Sequence, residues 1–179
     1  MLAHDAAHQL GLERVLLIPV GEAPHREIDP EPGPAVRLEM VRLAVEGDEL
    51  LEASEIEVGR EGPSYTFRTL ELLAEERAGD EVTLLMGADV AASLEWWKEP
   101  ERVLELARVG VAARPGTDLD EAETTLERLG AHGRFDMVRM PELSVSSTRV
   151  RRRVANGRSV RYLVPDSVRE MIGERGLYR

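Results

Sequence analysis

The densest chemistry in this sequence is LSVSSTRVRRRVANGRSVRYLVP, residues 143–165, where six arginines fall within positions 149–161 of a chain whose formal net charge is -11. Ser146, Ser147 and Thr148 come just before a helical pattern whose buried side is marked by Val150 and Val154. At about 100° per residue, Arg151 falls about 40° from Ser147 on the helical wheel. Helical side chains lean toward the N-terminus, so Arg151 is expected to reach back over the first turn. Hydroxyls, free N–H groups, the helix dipole and one guanidinium then converge. That set suits one small polyphosphate better than a nucleic-acid backbone. Arg149, Arg152 and Arg153 are expected to project elsewhere, into solvent.

Other candidates follow short apolar runs. After VLLIPV comes GEAPHR, where His25 and Arg26 could face a phosphate or simply form a solvated loop. GPSYTF places Tyr65 and Thr66 at the start of a helix, an anion site or an ordinary capped terminus with Ser64 as its cap. In MGAD, Gly87 permits close backbone approach, and Asp89 can accept from a sugar hydroxyl, cap a helix, or do both. In LEWWKEP, adjacent positions on a helix point about 100° apart. One of Trp96 and Trp97 can therefore join the core while the other stacks on a flat ring; both can also be packing residues. Arg114, before a Pro-Gly turn, is a ligand contact or a surface arginine. His4 and His8 have metal-compatible spacing but no third ligand, so no metal site is expected.

The elements that must position these groups alternate. Helical patterns cover 2–10, 35–47, 64–77, 99–107, 120–130, 147–156 and 166–175. Extended runs cover 15–20, 50–58, 82–87, 108–113 and 135–140. This order predicts an α/β fold: a Rossmann-like, doubly wound parallel sheet flanked by helices, with ligands beyond the carboxyl ends of the strands. The 179 residues fit one domain, sheet and helices over 1–141 and a helical part over 142–179. Cysteine is absent, which excludes disulfides and thiolate chemistry and fits a cytoplasmic protein. Lys98 is the single lysine. The acidic balance argues against nucleic acid and anionic membranes as partners. Oligomeric state is not set by the sequence, and a homo-oligomer is compatible with it.

Taken in order, RVLLIPVGEAPHR, GPSYTFRTLELL, LLMGADVAASLEWW, ARVGVAARPG, SVSSTRVRRRV and VRYLVPDSVREMI resemble the bacterial nicotinate-nucleotide adenylyltransferases of the HxGH nucleotidyltransferase superfamily. The resemblance spans essentially the whole chain. It implies adenylyl transfer from Mg·ATP to nicotinate mononucleotide, giving nicotinate adenine dinucleotide and pyrophosphate, a step of NAD biosynthesis. It also implies roles. Backbone at Tyr65–Thr66 and at Lys98 would bind the nicotinate carboxylate, with Trp97 stacked on the pyridine. His25 and Arg26 match a PHK-like loop near the mononucleotide phosphate, with Arg26 in place of lysine. Gly87 and Asp89 would hold the ATP ribose region. Ser146, Ser147, Thr148 and Arg151 match ISSTxIR, which binds ATP phosphates, with Val145 in place of isoleucine. Lys98 stands where an aromatic is common.

One departure is larger. The family opens with a strand and a GGTFDPxHxGH loop whose histidines stabilise the transferring phosphate, and no HxGH occurs here. LAHDAAHQLGL aligns with the helix that follows that loop. The expectation is a chain that starts after it, short by about 20 residues and the first strand of the sheet. Turnover is expected to be impaired, with Arg151 the one supporting catalytic group. The rivals are a non-catalytic nucleotide-binding remnant and another HxGH enzyme such as a pantetheine-phosphate adenylyltransferase.

Overall fold

Parallel strands cannot be joined by a tight turn; each connection needs a crossover, and here the crossovers are helices. The computed structural model describes residues 1–24, 32–113, 117–141 and 145–179. In chain order the elements are α1 (Leu2–Leu10), β1 (Val15–Leu17), α2 (Pro34–Val45), β2 (Leu51–Ala53), α3 (Thr66–Glu76), β3 (Thr83–Gly87), α4 (Ala88–Ala92), a 3-10 turn (Leu94–Trp96), α5 (Pro100–Leu106), β4 (Arg108–Ala113), α6 (Asp120–Arg128), β5 (Phe135–Arg139), α7 (Ser147–Ala155) and α8 (Asp166–Glu174). They divide into two compact units: Met1–Val15 with Tyr65–Glu142, and Leu16–Ser64 with Leu143–Arg179.

In the first unit β3, β4 and β5 pair in parallel in that order, with Leu85 opposite Gly110 and Gly110 opposite Asp136. The central strand β4 carries Val109 and Val111, both fully buried. They join Met86, Leu94, Leu104 and Leu126 in one apolar cluster. Successive strand residues face opposite ways, so Gly110 opens the other face. A Cβ there would lie 3.1 Å from Leu10 Cδ1 and 2.5 Å from Leu85 Cδ2, so a small residue lets α1 settle on the sheet. Helix α1 also reaches β5. Gln9 Nε2 donates to the Arg139 carbonyl and Arg139 N–H donates to Gln9 Oε1, both at 2.9 Å. The side-chain amide supplies the donor and acceptor that a neighbouring strand would offer.

In the second unit β1 pairs with β2 in a two-stranded sheet. Helix α2 begins with proline at its first turn, where the missing N–H costs nothing. It packs on α8, where the Ser167 hydroxyl donates to the Leu43 carbonyl at 3.1 Å and Arg175 pairs with Glu39. Leu38, Val168, Met171 and Ile172 are buried in this unit.

Parallel strands flanked by helices form the α/β architecture expected from the sequence pattern. Three details differ. The strand expected over 15–20 stops at Leu17, two residues before Pro19, which cannot donate to a ladder. The strand expected over 50–58 covers only Leu51–Ala53, because the chain turns at 55–58 with Val58 N–H donating to the Glu55 carbonyl at 2.9 Å. Helix α3 starts at Thr66 with Tyr65 as its cap residue and no side-chain cap, so Ser64 does not have the capping role.

Candidate functional site

In the first unit the candidate groups gather at the carboxyl end of β3 and the start of α3. Gly87 ends β3 and caps α4, so Asp89 lies inside the helix and is not its cap. Its carboxylate folds back toward the strand end: a Cβ on Gly87 would stand 2.6 Å from Asp89 Oδ1. Asp89 is otherwise exposed, with its acceptors open to a ligand.

The two tryptophans divide as neighbours on a helical turn must. Trp96 is 79% exposed, whereas Trp97 is partly buried against the apolar cluster. Trp97 is thus anchored on one side by the core. The next residue, Lys98, puts its Nζ 4.4 Å from the centroid of the Tyr65 ring, and Tyr65 stacks with Phe67 at 6.2 Å. The structure therefore brings Tyr65 and Lys98 together at the α3 N-terminus. Among the described residues, the N–H groups of Thr66 and Phe67 have no acceptor there, as a first helical turn requires.

Glu71 holds this arrangement from behind. It accepts from Arg68 at 2.9 Å and from Arg102 at 3.3 Å, so α3 is tied to α5, the helix that starts two residues after Lys98. The hydrogen bond from Arg68 is the main reason the Glu71 carboxyl is held below its usual range; desolvation opposes it, and the hydrogen bond and charge of Arg102 add to the lowering.

In the second unit Ser146 caps α7, its Oγ accepting from Arg149 N–H at 3.2 Å. Arg151 Nη2 lies 3.5 Å from Thr148 Oγ1, reaching back one turn. Arg149 and Arg152 are exposed, as expected, and Arg153 is half-buried. Arg149, Arg152, Arg153 and Arg158 line one cavity of about 440 Å³ together with Ser146, Thr148 and Asn156. Positions 149, 152, 153 and 156 recur at helical spacing and share a face, with Arg151 and Ser147 on the opposite side. That spacing was visible in the sequence; the contribution of Arg158, beyond the end of α7, was not.

The same unit holds the segment after β1. Arg37 Nη2 donates to the carbonyls of Val20 and Gly21. Ser64 N–H donates to the Glu22 carbonyl at 2.8 Å, and Glu22 bridges Pro63. Ser64 is buried with its hydroxyl unpartnered among the described residues. Nothing in the sequence pattern singled out Arg37 as the clamp on this segment. His25, Arg26 and Arg114 lie outside the described residues.

Among the described residues no group of three or more His, Cys, Asp or Glu side chains is assembled to hold a metal ion. His4 and His8 are exposed on α1. No helix among the described residues is long and apolar enough to cross a membrane.

A cytidylyltransferase-like family model matches residues 1–153. The chain is 41% identical over 180 residues to a nicotinate-nucleotide adenylyltransferase of Rubrobacter xylanophilus, covering 100% of this chain and 84% of that one. The corresponding protein of Thermomicrobium roseum is equally similar, 41% over 180 residues with the same coverage. Among solved structures, the Plasmodium falciparum nicotinic acid mononucleotide adenylyltransferase complexed with APC superposes with a TM-score of 0.76 over 99% of this chain and 88% of that one. The same Plasmodium enzyme complexed with NaAD gives 0.72 over 98% and 93%. At 13% identity both likenesses speak to the fold alone.

Proposed function

This chain belongs to the nicotinate-nucleotide adenylyltransferase family of cytidylyltransferase-like proteins, and on that premise we propose that it transfers the adenylyl group of Mg·ATP to nicotinate mononucleotide. The observation that carries this reading is the 41% identity to the Rubrobacter relative over 100% of this chain and 84% of that one. The products are nicotinate adenine dinucleotide and pyrophosphate, a step of NAD biosynthesis in the cytoplasm. A phosphate oxygen of the mononucleotide attacks the ATP α-phosphorus in line. The new P–O bond forms as the bond to the β,γ-pyrophosphate breaks, and the leaving group departs with its magnesium. No covalent enzyme intermediate is needed, so the protein's work is positioning and charge stabilisation.

Residues 1–179 act as one nucleotidyltransferase domain in this reading. The Ser146–Ser147–Thr148 turn and Arg151 hold the triphosphate, and Gly87 with Asp89 holds the ribose. Trp97 supports the pyridine ring. Donors at Tyr65, Thr66 and Lys98 receive its carboxylate. His25 and Arg26 lie toward the mononucleotide phosphate, and Arg114 contributes a further ligand contact. Magnesium enters as part of the nucleotide.

Within these residues Arg151 is the motif group placed to stabilise charge on the reacting phosphate. The alternative reading is a nucleotide-binding remnant without catalysis. The experiment follows pyrophosphate release from Mg·ATP and nicotinate mononucleotide, using this chain and a version extended by its upstream coding frame. The reading expects faster release from the extended protein. Pyrophosphate from neither protein, with nucleotide still bound, establishes the remnant instead.

A further inference from the structure

We propose that the arginine-lined cavity beside α7 is a second anion site, separate from the Arg151 side of that helix, and that it takes the linked phosphates of a pyrophosphate or a triphosphate. The cavity measures about 440 Å³, within the range of about 300–1,000 Å³ that small-molecule sites occupy. Arg149, Arg152, Arg153 and Arg158 line it, and among the described residues no acidic side chain does. Residues 143–165 contain no Asp or Glu, so none of the four has a carboxylate within its own segment. The acids that follow are engaged elsewhere. Asp166 and Glu170 pair with Arg169 at 2.9 and 3.0 Å. Among the described residues Arg152 and Arg158 make no ion pair. Ser147 and Arg151 fall on the opposite side of the helical wheel, so the cavity is not the triphosphate site of the proposed function.

The helix does not favour this arrangement by itself. Arg149 precedes Arg152 and Arg153 by three and four positions, the spacings at which like charges on a helix repel. It also stands in the first turn of α7, where the helix dipole favours an anion. An anion in the cavity relieves both penalties. Two local devices bring the other charges to the same place. Arg153 is tethered through Nε, which donates to the Ser159 carbonyl at 2.9 Å and leaves its terminal nitrogens to face outward contacts. Gly157 adopts φ 65, and Arg158 N–H donates to the Arg153 carbonyl at 2.8 Å, so the chain folds back and Arg158 joins the same face. Arginine keeps its charge at every working pH, and its planar fork meets phosphate oxygens in pairs. One phosphate group carries about two negative charges near neutrality, half the charge of four guanidiniums. Two or three linked phosphates balance it.

The test is calorimetric titration of inorganic tripolyphosphate, pyrophosphate and orthophosphate, without magnesium, into wild type, the double variant Arg152→Gln/Arg158→Gln, and Arg151→Met. The double variant is expected to lose about 10-fold or more in tripolyphosphate and pyrophosphate affinity, two charge-assisted partners being removed. Arg151→Met should keep that binding within about 3-fold, as an independent position does. Orthophosphate should bind wild type at least about 10-fold more weakly than tripolyphosphate. In low salt without anion the double variant should melt within about 3 °C of wild type, because the two arginines repel their neighbours and hold no element in place. Titration of ATP into Arg151→Met separates the sources. Tighter binding than tripolyphosphate assigns the phosphates to a nucleotide, and equal or weaker binding assigns them to the free anion. The second site is overturned if wild type binds no tripolyphosphate, if orthophosphate binds as well, or if the double variant binds unchanged. It is also overturned if Arg151→Met loses as much, or if the double variant melts more than about 3 °C lower, which would make the arginines structural. No mononucleotide and no turnover enter the experiment, so each of these failures leaves the proposed function standing.

Discussion

Replacing Gly21 with alanine tests whether the segment after β1 is locked by backbone contact. An alanine Cβ would lie 2.3 Å from the Glu57 carbonyl oxygen, 3.0 Å from its carbon and 3.1 Å from Ser64 Oγ. The first distance is about 1 Å short of ordinary contact. The obstacle is a carbonyl that accepts from Arg60 N–H at 3.3 Å, so no rotamer change relieves the clash. Overpacking of this kind costs about 1–3 kcal/mol, and a backbone obstacle puts it toward the top. Removing glycine freedom from the unfolded chain returns about 0.4–1 kcal/mol. The net destabilisation is then about 2 kcal/mol, which for a chain of this size lowers Tm by about 4–8 °C. Scanning calorimetry at fixed protein concentration measures it. Gly87→Ala is the control, since its Cβ would meet Asp89 Oδ1 at 2.6 Å, the free end of a side chain that can rotate away. That variant should melt within about 2 °C of wild type. The reasoning is refuted if Gly21→Ala melts within about 1 °C of wild type, or if Gly87→Ala falls as far.

Arg151→Met should weaken Mg·ATP binding by about 10-fold or more, the loss of one charge-assisted hydrogen-bonding group. Arg152→Met, on the cavity face of α7, should weaken it less; the reverse order would move the triphosphate to the cavity lined by Arg149, Arg152, Arg153 and Arg158. Glu71→Gln tests the tie between α3 and α5 through pH. The folded Glu71 carboxyl is held low, chiefly by Arg68. Its stabilisation is therefore present above the ordinary carboxylate range and lost as pH falls through the folded value. Wild type should melt above Glu71→Gln near neutrality, with the gap closing below about pH 4. A gap that stays constant or widens in acid would sink the assignment.

Strands β3 and β4 were legible because their apolar runs are nearly continuous and bounded by turn residues, and β5 because Phe135, Met137 and Val138 follow a turn at Gly133. The limits of β1 and β2 were not, because Ile18, Pro19 and Val20 keep the apolar pattern after the ladder has ended. Periodicity reports burial, and hydrogen bonding ended first. Gln9 could not be read at all: a polar helix residue gives no sign that it will replace a strand partner for Arg139. The motif segments supplied the candidate ligand residues by type, but the clamps behind them, Arg37 on the Val20 and Gly21 carbonyls and Glu71 between Arg68 and Arg102, depend on contacts between distant segments.

Lys98 shows how the two kinds of information combine. In the sequence it was a departure, a lysine where an aromatic is common, with no reason attached. In the structure its ammonium lies on the face of Tyr65, the residue that caps α3. An aromatic at 98 could have packed on Tyr65 without adding charge. Lysine keeps that contact through its cation and adds a positive charge to a ring-lined surface. The substitution therefore conserves packing while changing electrostatics.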